Sequence, residues 1–248
     1  GKKIIRPSDD PGSLSVAMKL NASISRLTGA RNNVQNGTSF LEVQDGVLDG
    51  VGKIVTRMSE LKGLGSQDPM KSSQDIESYN LEFRDLQRQL YDMSQMTFNG
   101  VSLFAKFSSP ETGAAQEIIF RNEGRHHTIS IHTSTQGSAG SKISLHKAAL
   151  LAALTMTNDA NQTAAAFGTA DFKTTTGTAS NTNIISFAAE DSTEVWDLDA
   201  VSMGVFQKAL ENISFLRAQV GGQMSRLSFA ADTLSVQQTN IRAALGRI

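Results

Sequence analysis

Apolar side chains recur every seven residues through the first part of the chain. A second row, three residues further on, contains small and polar members that would let a neighbouring backbone approach closely. A strict seven-residue repeat is typical of helices that supercoil around partners. The pattern predicts one long helix that begins at Pro11 and ends near Gly63 and Gly65. The first row comprises Leu20, Leu27, Val34, Leu41, Leu48 and Val55, and the second comprises Ala30, Gly37, Gln44, Val51 and Met58.

Two further segments have helical spacing. A second helix is predicted to restart after Asp68-Pro69 and to close at the Asn99-Gly100 turn dipeptide. A third helix is predicted in the C-terminal part, where apolar residues step by three or four throughout. The first and third helices, each of roughly 45 residues, far exceed the globular mean of about 12, and this length predicts a rod. The predicted core positions of the second and third helices are Phe83, Leu86, Leu90, Ile213, Leu216, Val220, Leu227, Leu234 and Ile241.

Between the second and third helices the pattern changes. Residues 118–120 and 128–132 are predicted strands, and the latter alternates polar and apolar positions. Residues 145–154 are a candidate short helix. Residues 158–183 are rich in Thr, Ala, Asn and Gly, and this composition predicts an exposed β or loop region.

These elements predict a mainly α fold with a β-rich insertion. Residues 1–103 and 192–248 are expected to form one discontinuous helical rod domain, a bundle of long, antiparallel, coiled-coil-like helices. Residues 104–191 are expected to form a small, β-rich, variable outer region that projects from the bundle.

Composition excludes several classes of protein. The 23 Lys plus Arg nearly balance 24 Asp plus Glu, so the basic surface of a nucleic-acid binder is absent and no nucleic-acid partner is predicted. No stretch approaches the ~20 apolar residues of a membrane span, so no membrane partner is predicted. The chain has no cysteine, which excludes disulfides and thiolate chemistry. No signal-peptide pattern opens the sequence, and both ends look cut, so we expect a trimmed core.

The residues that could carry chemistry do not form a recognisable site. Of the four histidines, His126 and His132 would share one face of a strand, but no cysteine or carboxylate pair accompanies them. His127 and His146 complete the set, and all four are expected to be surface residues. The common nucleophile, metal and phosphate-binding motifs are missing. We therefore predict no catalytic site, no metal and no cofactor.

Short fragments of the chain match, in order and spacing, the motifs of one known family. Residues 1–10 resemble the family's entry to its first long helix, and Thr97-Phe98-Asn99-Gly100 resembles its Gln-Phe-Asn-Gly turn. Further matches are residues 31–37, 45–48, 57–61, 119–124 with 128–131, and 213–221. Together these fragments resemble bacterial flagellin over most of the chain.

The resemblance implies a structural subunit of the flagellar filament that self-assembles helically for motility, and not an enzyme. The rod would resemble the family's helical domain, while the terminal segments that form the filament's inner tube are absent from this sequence. The implied location is extracellular, in the flagellum, after export without a cleaved signal peptide. Implied partners are copies of the chain itself, a flagellar secretion chaperone and hook-associated proteins. Candidate lateral contacts are the polar positions Asn32, Asn33, Gln35, Asn36, Gln223, Ser225, Arg226 and Ser228.

An innate-immune Toll-like receptor is a further partner that the resemblance suggests. Arg57 and Leu61 match two of the family's receptor-recognition positions in the first long helix. The second helix has Leu86-Gln87-Arg88-Gln89-Leu90 where the family has Leu-Glu-Glu-Ile, so the recognised Glu is missing. Receptor activation is therefore not predicted.

Two other functions stay open at this point. Ser8-Asp9-Asp10-Pro11 is also common in the hook–filament junction protein, a relative of flagellin, although the Phe98-Asn99-Gly100 turn disfavours it. The other alternative is a non-polymerising surface binding module, which would need a clustered aromatic or acidic site in residues 104–191. Aromatic residues there and beside it, among them Phe167, Phe172, Phe187 and Trp196, are scattered.

Overall fold

The structure is a computed structural model that describes residues 11–66, 72–105, 128–136, 139–157, 184–190 and 195–247. Within these residues it is mostly helical, with small antiparallel sheets. The α-helices are α1 (Pro11–Gly65), α2 (Ser73–Ser94), α3 (Leu150–Ala153) and α4 (Met203–Arg247), and a 3-10 turn (Leu198–Ala200) precedes α4.

The two long helices have the predicted extents. α1 contains 55 residues, starts at Pro11 and ends at Gly65, and α4 contains 45 residues. Proline suits the first helical turn because its missing N–H has no partner there in any case. The seven-residue rows thus located both helices correctly from sequence.

The second helix differs from its prediction at its C-terminal end. α2 starts with a capping box, in which the Ser72 hydroxyl accepts from the Asp75 N–H and the Asp75 carboxylate accepts from the Ser72 N–H. It ends at Ser94, so the Asn99-Gly100 dipeptide does not close it. That dipeptide forms the loop between β1 (Thr97–Phe98) and β2 (Val101–Ser102), with φ values of 49° and 77°. Two successive positive φ angles are what a two-residue hairpin loop requires, and Asn-Gly tolerates them best.

Three two-stranded antiparallel sheets are described. After the β1–β2 hairpin, β3 (Thr128–His132) pairs with β4 (Lys142–His146), and β5 (Thr155–Thr157) pairs with β6 (Ile184–Ser186). The strand predicted at residues 128–132 is confirmed. The helix predicted over residues 145–154 is wrong in its first part, because the alternation of Ile143 and Leu145 places residues 142–146 in β4. The strand at 118–120 and the Thr-rich region 158–183 lie outside the described residues.

Contacts divide the chain into two compact units, and both long helices contribute to each. The first unit comprises residues 1–42, 128–146 and 221–248, and the second comprises residues 43–127 and 147–220. The predicted partition into 1–103 with 192–248 and 104–191 stays a prediction.

In the first unit the β3–β4 hairpin lies against a glycine of α1. A Cβ built on Gly37 would lie 3.2 Å from the Ile131 side chain and 3.3 Å from that of Leu227. These distances are shorter than ordinary carbon contacts, so the glycine provides the room for both side chains. Leu27, Val34 and Leu227 are at most 2% exposed.

In the second unit an aromatic cluster joins α2, the segment after β6, and α4. The rings of Phe187 and Phe206 stack with centroids 5.0 Å apart. Phe83 meets them edge-on, with centroids 6.4 Å from Phe187 and 6.1 Å from Phe206. All three side chains are fully buried, and such pairs add to the stabilisation that burial alone gives.

Candidate interaction surfaces and the side chains that support them

Buried amide side chains tie the helices to the segments between them. An amide taken out of water destabilises the fold unless it finds hydrogen-bond partners. Each of these residues lies on a helix and is at most 8% exposed. They are Gln44, Asn80, Gln87, Asn212, Gln223 and Gln238.

Two of the glutamines each form hydrogen bonds with both the backbone N–H and the backbone carbonyl of a single residue. Gln87 Oε1 accepts from the Trp196 N–H at 2.9 Å, and its Nε2 donates to the Trp196 carbonyl at 2.8 Å. Gln223 does the same for His146, at 2.8 Å and 3.2 Å. Each amide therefore pairs with a backbone residue much as a residue of a neighbouring strand would. The proposal of Gln223 as an exposed contact residue is wrong, because this pairing buries it.

The other amides each make one such link. Asn80 Oδ1 accepts from the Leu198 N–H at 3.0 Å, and Asn212 Nδ2 donates to the Ala153 carbonyl at 3.1 Å. Gln44 Nε2 donates to the Leu103 carbonyl at 2.5 Å. Gln238 donates to the Thr28 hydroxyl at 3.0 Å and so links α4 to α1 in the first unit. Sequence reasoning missed these roles, although amides inside apolar rows were a signal that could have found them.

An ion-pair cluster joins α1 and α4 in the second unit. Arg217 donates to both Asp45 carboxylate oxygens, at 2.9 Å and 3.1 Å, and to Asp49 at 2.8 Å. Lys53 lies 2.7 Å from Asp49 on the next turn of α1. The hydrogen bond from Lys53 and the nearby positive charges lower the pKa of Asp49, while the carboxylate of Asp45 raises the pKa of Arg217. Since these groups are solvent-accessible, the cluster orients the helices more than it stabilises them.

Two other arginines fix α2 in the same unit. Arg57 of α1 donates to both carboxylate oxygens of Glu82, at 2.7 Å and 3.1 Å, and to Glu60 at 3.2 Å. The hydrogen bonds that Arg57 donates to Glu82 and Glu60 raise the pKa of its guanidinium. Arg84 of α2 donates to Asp197 at 2.7 Å, just before the 3-10 turn. The Arg57–Glu82 pair has the planar, bidentate geometry that suits arginine better than lysine.

Comparison with known proteins shows what the chain is similar to. Residues 1–109 match the model of the bacterial flagellin N-terminal helical region. The whole chain is 26% identical to a flagellin of Listeria monocytogenes, over 74% of that protein, and 27% identical to a flagellin of Bacillus subtilis, over 76%. The chain is thus similar to bacterial flagellins over its full length. Another relative, a flagellin of Treponema pallidum, is 25% identical over the full chain and 74% of its own length.

Solved structures support the same fold. The chain superposes on a structure assigned to a flagellar hook-associated protein of Vibrio parahaemolyticus with a TM-score of 0.66 and 15% identity, covering 98% of the present chain and all of the other. On Bacillus cereus flagellin the TM-score is 0.52 at 20% identity, covering 86% of the chain and 94% of its counterpart. At these identities the likeness shows the fold alone.

The two positions that the sequence resemblance suggests for receptor recognition have different environments. Arg57 is exposed, although Glu82 and Glu60 engage its guanidinium. Leu61 is 0% exposed and belongs to the core. A side chain in that position is not available at the surface of the described structure.

The predicted core positions are mostly buried. Leu20, Leu86 and Ile241 are half-buried. The remaining positions are at most 3% exposed: Leu27, Val34, Leu41, Leu48, Val55, Phe83, Leu90, Ile213, Leu216, Val220, Leu227 and Leu234.

The described residues offer little metal or membrane chemistry. Among them no group of three or more His, Cys, Asp or Glu is placed to hold a metal ion. Nor is any described helix long and apolar enough to cross a bilayer. His132 and His146 lie in β3 and β4, whereas His126 and His127 lie outside the described part.

Proposed function

We propose that this chain is a flagellin, a structural subunit of the bacterial flagellar filament, outside the cell, and that it assembles with copies of itself for motility. The observation that carries the proposal is the pair of long helices with seven-residue apolar rows in a chain similar to flagellins. Long helices stiffen a subunit along one direction, and different surfaces on one molecule allow contacts that repeat as an open helix.

The rod domain of the subunit is assigned to residues 1–103 and 192–248, and the outer region to residues 104–191. α1, α2 and α4 supply the long apolar faces of the rod, as the predicted bundle of coiled-coil-like helices requires. Its polar faces are available for lateral contacts, since Asn32, Asn33, Gln35 and Asn36 are all exposed. Ser225, Arg226 and Ser228 are exposed in the same way on α4.

Similarity to flagellins also supports further partners. A flagellar secretion chaperone would bind the chain before export through the flagellum's own channel, without a cleaved signal peptide, and hook-associated proteins would contact the filament's ends. Support for a Toll-like receptor contact is confined to Arg57, because Leu61 is buried and the family's Glu is absent from α2.

Electron microscopy of the protein expressed from its complete gene, seeded with filament fragments, tests the function. Long uniform filaments are expected, while residues 1–248 alone stay monomeric under the same conditions. Short caps on the seeds, with no elongation, would favour the hook–filament junction protein. Persistent monomers would favour a non-polymerising surface module.

A further inference from the structure

The last part of α4 exposes a second apolar row. Phe229 is 73% exposed and Val236 is 60% exposed, and the exposed Gly222 and Ala243 continue the row at the same seven-residue spacing. The buried Leu227 precedes Phe229 by two residues, which is about 200° around a helix of 3.6 residues per turn. The row therefore lies on the side of α4 that faces away from the core of its own unit. We name these four residues the α4 outer row.

Isolated exposed apolar residues are ordinary on protein surfaces, but a regular repeat of them is not. A helix with apolar rows on two opposite sides is built to contact other helices on both. One of the two rows of α4 is used within the subunit. The other has the spacing that fits a second helix.

The first part of α1 presents a face of complementary shape. On this face, the exposed residues recur at alternating steps of three and four, and each of them is either very small or a short polar residue. A Cβ built on Gly29 would meet nothing within 4 Å, so there is open space above the helix at this position. Small side chains let a second helix approach closely and leave room for large ones. The members of this α1 outer face are Ala22, Ser25, Gly29, Asn32 and Asn36.

Both surfaces are net basic, but one pair of opposite charges lies beside them. Residues 11–41 of α1 contain Lys19, Arg26 and Arg31 and no acidic residue, and residues 221–247 of α4 contain three arginines and the single acidic residue Asp232. On α4, the exposed Asp232 follows Phe229 by one turn, and Arg226 lies on the opposite flank of the row. Neither Asp232 nor Arg26 makes an ion pair within the part of the chain that the structure describes. The acidic flank therefore marks the side of the row that suits the basic α1.

We propose that the α4 outer row of one subunit packs on the α1 outer face of a second copy of this chain, with Asp232 placed against Arg26. Phe229 and Val236 fill the room that Ala22 and Gly29 leave, since both pairs are seven residues apart. The two surfaces are different, so the contact is heterologous and can repeat without closing. This inference rests on the proposed function and names the partner surface within it.

Seeded elongation of the protein expressed from its complete gene tests the contact. The double change Phe229→Ala with Val236→Ala is expected to slow elongation about tenfold or more, because buried aromatic and aliphatic anchors dominate interfaces. Both side chains are exposed in the monomer, so its circular dichroism and melting should stay unchanged. Leu81→Ala, which removes a side chain on α2 that is 55% exposed, is the matched control and should elongate at the wild-type rate.

Charge reversal tests the placement of Asp232. Asp232→Arg and Arg26→Asp should each slow elongation, because like charges then face each other, and the two changes together in one chain should restore it. A wild-type protein that never elongates would reject the proposed function itself. Wild-type elongation that the Phe229 and Val236 changes leave intact would overturn the inference alone, and a reversed pair that does not recover would overturn the Asp232–Arg26 placement.

Discussion

The two parts of α4 are held by different means, each within its own unit. From residue 203 to 220, Phe206 stacks in the aromatic cluster, Asn212 binds the Ala153 carbonyl, and Arg217 holds two carboxylates of α1. From residue 221 onward, the polar links to other described elements come from Gln223 and Gln238 alone. The first part is fixed by an aromatic stack, an amide link and an ion-pair cluster, whereas the second has, among the described residues, amide links alone. A subunit that assembles needs both kinds of region, one that keeps its own shape and one that keeps surface for its neighbours.

Among the substitutions that test this comparison, one in the aromatic cluster should have the largest effect on stability. Phe206→Ala should lower the free energy of unfolding by about 3–5 kcal/mol, because it leaves a cavity between Phe83 and Phe187. Phe229→Ala, the same substitution on the exposed row, should change the stability of the monomer by less than about 1 kcal/mol. Urea titrations of the two variants measure the difference. Equal losses would contradict the division of α4.

Substitution of the buried glutamines should lower stability by a smaller amount. Gln87→Met keeps the length of the side chain but leaves the Trp196 N–H and carbonyl without their partners, so stability should fall by about 1–3 kcal/mol. Because Trp196 is the single tryptophan, its fluorescence should change in Gln87→Met and stay unchanged in Gln223→Met. In the latter, hydrogen exchange of the His146 amide should accelerate instead. A fluorescence change in both variants would show that the two links are not independent.

Two glycines of α1 offer a matched pair with a smaller effect. Gly29→Ala should stabilise the monomer by about 0.5–1 kcal/mol, since alanine favours a helix and nothing lies near the added carbon. Gly37→Ala should show no such gain, because Ile131 and Leu227 would have to move away. Thermal unfolding of both variants checks the sign. In seeded elongation Gly29→Ala should be slower than wild type, because the added methyl occupies room on the α1 outer face.

The smallest effect is the pH dependence that comes from Asp49. Its pKa is lowered in the folded state, so the unfolded state binds a proton first as the pH falls. The contribution is therefore present above the ordinary pKa of 3.8 and is lost as the pH falls through the lower folded value. Asp49→Asn should remove this part of the acid sensitivity. Melting temperatures of the variant and of the wild-type protein between neutral and acidic pH provide the test.

Sequence patterns located the helices and strands whose hydrophobic periodicity lies within the element itself. The seven-residue rows gave the extents of α1 and α4, and alternation gave β3, because each element's periodicity is set by its own backbone geometry. The end of α2 was misplaced, since Asn-Gly marks a tight turn without saying which elements it joins. The buried amides could not be assigned, because Gln87 binds a residue 109 positions away and Gln223 one 77 positions away. Long-range partners leave no periodic trace in the sequence.

The exposed row and the small-residue face were equally hidden from sequence reasoning. The predicted core positions Leu227 and Leu234 placed the covered side of α4 correctly, since both are at most 3% exposed. Phe229 and Val236, which repeat at the same seven-residue spacing, were not identified as an exposed row. The polar positions on α1 were identified as candidate contacts, but the small residues between them were not.

The hydrogen bonds of Gln223 also affect how readily the edge of β4 could pair with another strand. The free edge of a strand invites pairing with any other strand, and this is the usual route to disordered aggregation. At His146 the edge of β4 is already occupied by a side chain of the same unit, which satisfies both backbone groups. If the chain polymerises by its helices, as proposed, it is thereby shielded, at this position, from polymerising by its strands.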